Sequence, residues 1–391
     1  MPAKPQDSRG GRGIPRQGCS QNERLILSLI RRHGPMPRAV LALRTGLSAQ
    51  AITNQTRRLI AAGLLDAGEV VRGKVGQPTT PLALSPDGAL FLGLKIGRRL
   101  AELALVDFAG QIRLHRQEIH PYPAPGRIFD FARQGAQTIL DGLPPAMRER
   151  VMGLGIATPY RLWDWGREMA DWKGFDLAGR LADVLPFPVH LENDATTACG
   201  AELIFGRTDL PRDFIHIYVA HYAGGGLVLD GALRHGPTRN AGALGSMPVP
   251  GGRQLLDHAA IAALERRIGH ALPPDDSGWS VPDEIERAWI AEAAEALAFA
   301  VLSSAALADL PLAVIDGAMP ARTRTRLTEA TARALAAMPA AGIDRPRVIQ
   351  GSLGRTARLL GAAGLPLAHH FQPDGALDRS KAPLRLAEEC A

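Results

Sequence analysis

Gln50, Thr53, Asn54 and Arg57 stand at i, i+3, i+4 and i+7, so a helix would present them along one face. Their amide, hydroxyl and guanidinium groups can hydrogen-bond base edges and phosphates, so the chemistry this spacing offers is recognition of duplex DNA. Ile52, Leu59 and Ile60 fall on the opposite face and would meet a core. Ser48 stands where an N-cap would accept from the open amides of the first turn. An ordinary amphipathic surface helix would show the same pattern, so the neighbouring elements decide between the two readings.

Those neighbours form a three-helix pattern followed by a hairpin. Ser20-Gln21-Asn22-Glu23 fits a capping box and opens a helix carrying Leu25, Ile26, Leu29 and Ile30, which Gly34 ends. A short helix spans Arg38 to Thr45 and stops at Gly46, and the third runs from Ser48 to Gly63. The short connection between the second and third is the helix-turn-helix arrangement. Leu64-Leu65 and Glu69-Val70-Val71 then lead through the basic, glycine-rich Arg72-Gly73-Lys74-Val75-Gly76 to Pro81-Leu82-Ala83-Leu84, which reads as a two-stranded wing. The expected DNA contacts are Arg38, Ser48, Gln50, Thr53, Asn54, Arg57 and Arg58 from the helices and Arg72 and Lys74 from the wing.

Charge follows the same division. Residues 1–80 hold 13 Lys+Arg against 4 Asp+Glu, a net of +9, while the remainder sums to −3. A positive excess confined to one end is the electrostatic footprint of a polyanion-binding domain. Arg24, Arg31, Arg32, Arg38, Arg44, Arg57, Arg58 and Arg72 lie inside the helices and wing, so the charge is not only that of a basic tail. The three cysteines, Cys19, Cys199 and Cys390, are far apart, which fits a reducing compartment and gives neither a disulfide framework nor a metal motif. No secretory signal pattern is visible, and the best candidate span, Ala296 to Ile315, is broken by Asp309 and Pro311. The expectation is a soluble cytoplasmic protein without a membrane partner. Residues 1–19 and 376–391 are expected to be loosely ordered tails around a winged helix-turn-helix at 20–85 and a body at 86–375.

From Leu90 onward strands and helices alternate, the pattern of an α/β body in two successive blocks. Strands are expected at 90–96 and 100–107, with Ala109-Gly110 turning into a third, and at 151–157, 189–191, 214–220, 226–229, 312–316 and 348–349. Helices are expected at about 128–143, from 195, and at 254–268, 283–308, 321–337 and 355–363.

In order, the wing, the strand-hairpin opening of the body, Glu192-Asn193-Asp194-Ala195, Gly224-Gly225-Gly226 and Asn240-Ala241-Gly242-Ala243-Leu244-Gly245-Ser246 make the chain similar to the ROK family. The resemblance runs from about Asn22 to Phe371. That family holds sugar kinases of the two-lobed actin-like ATPase fold, and transcriptional repressors that place a winged helix-turn-helix before the same body. The resemblance implies that Asp194 occupies the position of the catalytic base and Asn193 that of a sugar ligand. The same two residues, following a strand, would also cap the next helix.

Other parts of the kinase machinery differ. The family's first phosphate loop reads Asp-x-Gly-Gly-Thr, where this chain has Lys95-Ile96-Gly97-Arg98-Arg99, and a lysine cannot organise Mg²⁺ as a carboxylate does. The second, Gly-Thr-Gly-Ile-Gly-Gly-Gly, is here Ala220-His221-Tyr222-Ala223-Gly224-Gly225-Gly226, which puts bulk where backbone should approach phosphate. The substrate motif Gly-Glu-x-Gly-His has Ala243 in place of its Glu and Ser246 in place of its His. With no Cys between 199 and 390, the family's usual structural zinc site cannot form. Trp163, Trp165 and Trp172 cluster before the Asn-Asp segment, which in the family borders the sugar cleft, and could form an aromatic platform or pin a loop. His190, His221 and His235 are isolated and read as structural.

The combined expectation is a DNA-binding regulator, a repressor of carbohydrate-related genes, with no cofactor, catalytic residue or metal ligand. It would act as a homodimer or higher homo-oligomer on a double-stranded operator. Its body would bind a sugar-like effector through Asn193, Asp194, Trp172, Gly224, Gly225 and Ser246. A sugar kinase with an accessory DNA-binding head, or a regulator controlled by a partner protein, are the alternatives.

Overall fold

Ser20 Oγ accepts from the Glu23 amide at 3.3 Å, and the Glu23 carboxylate accepts from the Ser20 amide at 2.8 Å. This capping box starts α1, Gln21–His33, which ends at Gly34 with φ +79°. The computed structural model describes residues 18–70, 79–160, 162–274 and 278–373. Strand β1, Met36–Pro37, leads into α2, Arg38–Thr45, which closes on left-handed Gly46. Helix α3, Ala49–Ala61, starts with Ser48 Oγ accepting from the Ala51 amide at 3.2 Å. Strands β2, Leu65–Ala67, and β3, Pro81–Leu84, pair antiparallel, and β1 pairs with the other edge of β3. The sheet thus gains a strand that Met36–Pro37, too short to show alternation, does not announce. The expected strand at Glu69–Val71 is not formed over Glu69 and Val70, which are irregular and exposed, and the tip with Arg72 and Lys74 lies outside the described residues.

The body repeats one topology twice. In the N-lobe, β4 (Leu90–Ile96) is central. It is flanked by the antiparallel pair β5 (Leu100–Asp107) and β6 (Ile112–Ile119). Helices α4 (Pro125–Gly142) and α5 (Pro145–Arg148) lead to β7 (Val151–Thr158), parallel to β4. Helix α6 (Leu177–Ala182) and parallel β8 (Val189–Asn193) complete the sheet, and α7 (Asp194–Phe205) crosses to the second lobe.

In the C-lobe β9 (Phe214–Val219) is central, with antiparallel β10 (Ala223–Leu229) and β11 (Ala232–Arg234) on one side. A hairpin, β12 (Pro248–Val249) and β13 (Arg253–Gln254), precedes α8 (Leu255–Ala259), α9 (Ile261–Ile268) and α10 (Asp283–Ala308). Parallel β14 (Leu312–Gly317), α11 (Ala321–Ala337), β15 (Arg347–Gln350) and α12 (Ala357–Phe371) follow. The orders β6-β5-β4-β7-β8 and β11-β10-β9-β14-β15 are equivalent.

Two departures from the sequence reading have local causes. The helix expected over 254–268 is two helices, because Ala260 is extended (ψ 151°) and lets the amides of Ile261 and Ala262 donate to Ala220 O and His221 O. The helix expected to end at Ala363 continues through Pro366 to Phe371. Proline cannot donate to Ala362 O. That carbonyl instead lies so close to Gly155 that a Cβ there would stand 1.8 Å from it. Among the described residues, α10 is long and apolar enough to cross a membrane, but most of its apolar stretch is buried in the C-lobe core.

Candidate functional site: a winged helix-turn-helix head and an interlobe cleft

Ser48, Gln50, Asn54 and Arg57 are exposed on α3, and Thr53 is half-buried, while Ile52, Thr56 and Leu59 are buried on the opposite face. Gln50 Nε2 donates to Asn54 Oδ1 at 3.2 Å, so these two are held as one polar unit. Thr53 Oγ1 donates back to Ala49 O at 2.8 Å, a bond that a serine or threonine in a helix makes when nothing else competes. Arg38 is placed differently from the rest: its Nε donates to Thr56 Oγ1 at 2.9 Å and ties α2 to α3. Arg58 Nε stands 3.3 Å from Glu23 Oε1, joining α3 to α1 while its side chain stays largely exposed.

The head is welded to the body. Ile26, Leu27, Ile30, Leu41, Ile52 and Leu59 share one buried cluster with Phe91, Val106, Phe108, Leu359, Leu367 and Phe371. The Arg31 guanidinium donates to Phe108 O and lies over the rings of Phe108 (4.7 Å) and Phe205 (5.8 Å). Arg32 Nη2 reaches Leu210 O at 2.9 Å, and Ser28 Oγ donates to Gln372 Oε1 at 3.0 Å. The body's share of this joint includes the C-terminal ends of α7 and α12.

Both helices begin at the cleft between the lobes. The cleft has a volume of about 250 Å³ and includes Gly97, Tyr160, Asn193, Asp194, Ala195 and Tyr218 among its walls, with Gly224, Gly225, Ala243, Ser246 and Arg358. Asn193 Oδ1 accepts from the amides of Ala195 (3.0 Å) and Thr196 (3.3 Å), so it caps α7. Asp194 Oδ2 accepts from Arg358 Nη1 of α12 at 2.9 Å. Arg358 is buried and lies 5.1 Å from the Tyr218 ring centroid. Burial disfavours its charge, but Tyr218 and Asp194 outweigh that and raise its pKa.

Gly224 and Gly225 line the cleft, but the room left by their missing side chains is already used. A Cβ on Gly224 would stand 2.6 Å from Ala195 Cβ, and one on Gly225 2.5 Å from Leu244. Trp172 does not join the cleft. Its indole is buried in the N-lobe core, with Nε1 donating to the Pro123 carbonyl at 2.7 Å and the ring edge-on to Phe175, so the N–H has a buried acceptor there. Trp163 is partly exposed, the Trp165 side chain lies outside what is described, and Leu162 and Met169 supply that segment's share of the wall.

On the phosphate side, Lys95 is consumed internally. Its Nζ lies 2.8 Å from Glu102 Oε2, its register partner on β5, with both side chains buried. Burial pulls Lys95 down to about 8 despite that pair. Burial pushes Glu102 up, but Lys95 and hydrogen bonds from His115 and Gln117 hold it well below the usual range. Arg99 at the β4–β5 turn pairs across the lobes with Glu265 of α9, and Glu265 also stands 3.4 Å from His221 Nδ1. Burial pushes the Glu265 carboxyl up, but bonds from His221, Arg99 and the Leu272 amide bring it down to about 2. What remains between these groups is a cavity of about 60 Å³ edged by Lys95, Arg98, Arg99, Arg355 and Arg358. Where the family's first phosphate loop carries an acidic residue, this loop carries a lysine already paired with Glu102.

A second interlobe link closes the opposite rim. Buried Glu192 accepts from Tyr160 Oη, the Asn193 amide (2.8 Å) and Arg239 Nη2 (2.6 Å), and lies 2.8 Å from His235 Nδ1. Burial raises its pKa, but His235, Tyr160 and the other partners outweigh this and lower it. Arg358, Glu102, Glu192, Arg239 and Glu265 carry the cleft's electrostatics and were not singled out from the sequence. The Lys95–Glu102 pair was accessible from strand register; the partners of Arg358 and Glu265 lie 164 and 166 residues away and leave no local signal.

The family model described as ROK family matches residues 91–274, and the model for a winged helix-turn-helix DNA-binding domain matches residues 20–66. A transcriptional regulator of Mycobacterium tuberculosis is 27% identical across 91% of this chain and 87% of its own. The DNA-binding transcriptional repressor Mlc of Escherichia coli is 26% identical over 55% of this chain and 54% of its own. The xylose repressor of Bacillus subtilis is 22% identical over 58% and 60%. Among solved structures, a ROK family transcriptional regulator homologous to Mlc superposes with a TM-score of 0.62 at 20% identity, covering 90% of this chain and 96% of the other. A ROK family glucokinase from Streptomyces griseus, in complex with glucose and AMPPNP, matches the body with a TM-score of 0.57 at 22% identity, covering 71% and 99%.

Proposed function

We propose that this chain, a ROK family domain behind a winged helix-turn-helix head, is a DNA-binding transcriptional regulator whose cleft senses a sugar-like effector without phosphorylating it. The observation that carries the reading is the pair of helices α7 and α12. Each starts at the cleft, with Asp194 and Arg358, and each ends at the head joint, with Phe205 and Phe371. At 1.5 Å per residue these 12- and 15-residue helices span about 18 and 22 Å, enough to connect the two sites as rigid rods. They touch at Gly361, where a Cβ would stand 2.0 Å from Thr197 O, a contact through which movement of one would press on the other.

The mechanism is population shift. An effector hydroxyl that hydrogen-bonds Asp194 competes with Arg358 and favours one lobe arrangement, and the rods carry that change to α1. The 250 Å³ cleft lies just below the usual 300–1,000 Å³ range of ligand sites and suits a monosaccharide-sized molecule better than a sugar with a nucleotide. Relatives named for xylose repression and as a repressor support a carbohydrate effector and a repressor role. A two-fold dimer on a pseudo-palindromic operator is the natural partner geometry, since one such head reads few base pairs.

The experiment selects genomic DNA fragments on the purified chain, then measures their affinity and ATP consumption across a panel of pentoses, hexoses and amino sugars. Specific retention, an effector-dependent affinity and no turnover support the reading. Turnover near 1 s⁻¹ or above, in the ordinary enzyme range, favours a kinase with an accessory head.

A further inference from the structure

Deep in the C-lobe, away from the cleft and the head, Glu202, His216 and Asp316 converge from three elements. Asp316 of β14 and His216 of β9 share a sheet face, because Val314 pairs with His216 in the parallel register and Asp316 lies two residues on. Glu202 comes down onto that face from α7. All three are fully buried, and one donor atom of each lies within 4.8 Å of the other two.

Two features need explanation. Both ring nitrogens of His216 are without a hydrogen-bond partner, although a neutral imidazole carries one donor and one acceptor that burial should not leave unmade. The charges also do not balance. Asp316 has the Arg324 guanidinium at 3.2 Å, but among the described residues Glu202 receives only neutral donors, the Ser352 amide and hydroxyl and the Arg207 amide. A buried carboxylate without a cation is costly.

We infer that Glu202, His216 and Asp316 bind one divalent transition-metal ion of the Zn²⁺ type, which braces α7 against the C-lobe sheet. Two carboxylates and one imidazole form a donor set that such ions accept. The hydrogen bonds already made to the carboxylates, from Ser352 to Glu202 and from the amides of Gly317 (2.9 Å) and Gly354 (2.8 Å) to Asp316, are the outer-shell support that orients ligands. Ligation draws the three donors inward, since donor pairs around tetrahedral zinc stand roughly 3.4 Å apart when each bond is about 2.0–2.1 Å. The ion would fix the far end of the helix whose first residue is Asp194.

The test uses the full chain, without an affinity tag that binds metal, saturated with ZnCl₂ and then desalted. Metal analysis should find about one Zn²⁺ per chain in the wild type and in His369→Ala, which removes a surface histidine beside His370, and far less than one in His216→Leu. Zn²⁺ should raise the thermal midpoint of the wild type by several degrees, and Co²⁺ in its place should give the visible absorption of a low-coordinate N/O site. A wild type that retains no ion, or a His216→Leu protein that retains the full equivalent, overturns the assignment. Should His216→Leu fail to fold, the wild-type stoichiometry and the Co²⁺ spectrum decide alone.

Discussion

Replacing Asp194 by Asn removes one charge of the Asp194–Arg358 pair and keeps the side-chain volume. Breaking a fully buried pair costs about 3–5 kcal/mol, because the surviving charge is left in a low-dielectric site. Here the two side chains keep 14% and 10% of their exposure, and the Tyr218 ring 5.1 Å from the guanidinium supplies part of the lost stabilisation. The expected loss is therefore smaller, about 2–4 kcal/mol. Arg358→Met alone should cost a similar amount, and the double variant should cost less than the two losses together. A double-mutant cycle from urea denaturation followed by tryptophan fluorescence should return a coupling of about 1.5–3 kcal/mol, within the range of contacting buried pairs. A coupling below about 0.5 kcal/mol, the scatter of independent sites, would refute the claim that Asp194 is committed to Arg358.

Three further outcomes follow from other parts of the molecule. Gln50→Ala and Asn54→Ala should each cost roughly 1–3 kcal/mol in operator affinity and relax base preference at the position read, measured by competition binding against substituted duplexes; unchanged preference would place readout elsewhere. Gly361→Ala should destabilise the body by about 1–3 kcal/mol in denaturation, because its Cβ would meet Thr197 backbone and the rods must separate; a neutral effect would contradict their tight crossing. Glu265 has a folded pKa of about 2, below its ordinary value of 4.5, so the stability it adds is present above pH 4.5 and drains away as the pH falls from there toward 2. Acid titration of thermal stability should therefore fall less steeply in Glu265→Gln than in the wild type, and identical slopes would mean that the interlobe latch is not formed.

What was legible in the sequence was what local physics decides. The capping box at Ser20, the glycine stops at Gly34 and Gly46 and the apolar face of α3 place the head helices close to where they stand. Alternating blocks gave the α/β body. The pairing of Met36–Pro37 with β3 was hidden because two residues carry no periodicity. The length of α12 depends on a distant contact, since the Ala362 carbonyl that Pro366 leaves without a donor is accommodated by Gly155 on another element. Trp172 was assigned to the cleft by its neighbourhood in the chain, while its N–H is satisfied by Pro123, 49 residues earlier. Lys95 was seen to differ from a metal-binding residue, but its partner Glu102 emerges only once β4 and β5 are in register. Distant pairings set the cleft's charge, and a single sequence does not display them.

The central claim is that cleft and operator are coupled through the body, and reciprocity tests it most directly. Effector affinity, measured by calorimetry with the panel compound that binds, should differ between the free protein and the protein saturated with operator by about 5–150-fold, the ordinary span of allosteric coupling, with the same factor recovered when operator affinity is measured with and without effector. Identical effector affinities in the two states, with the compound bound in both, would contradict it.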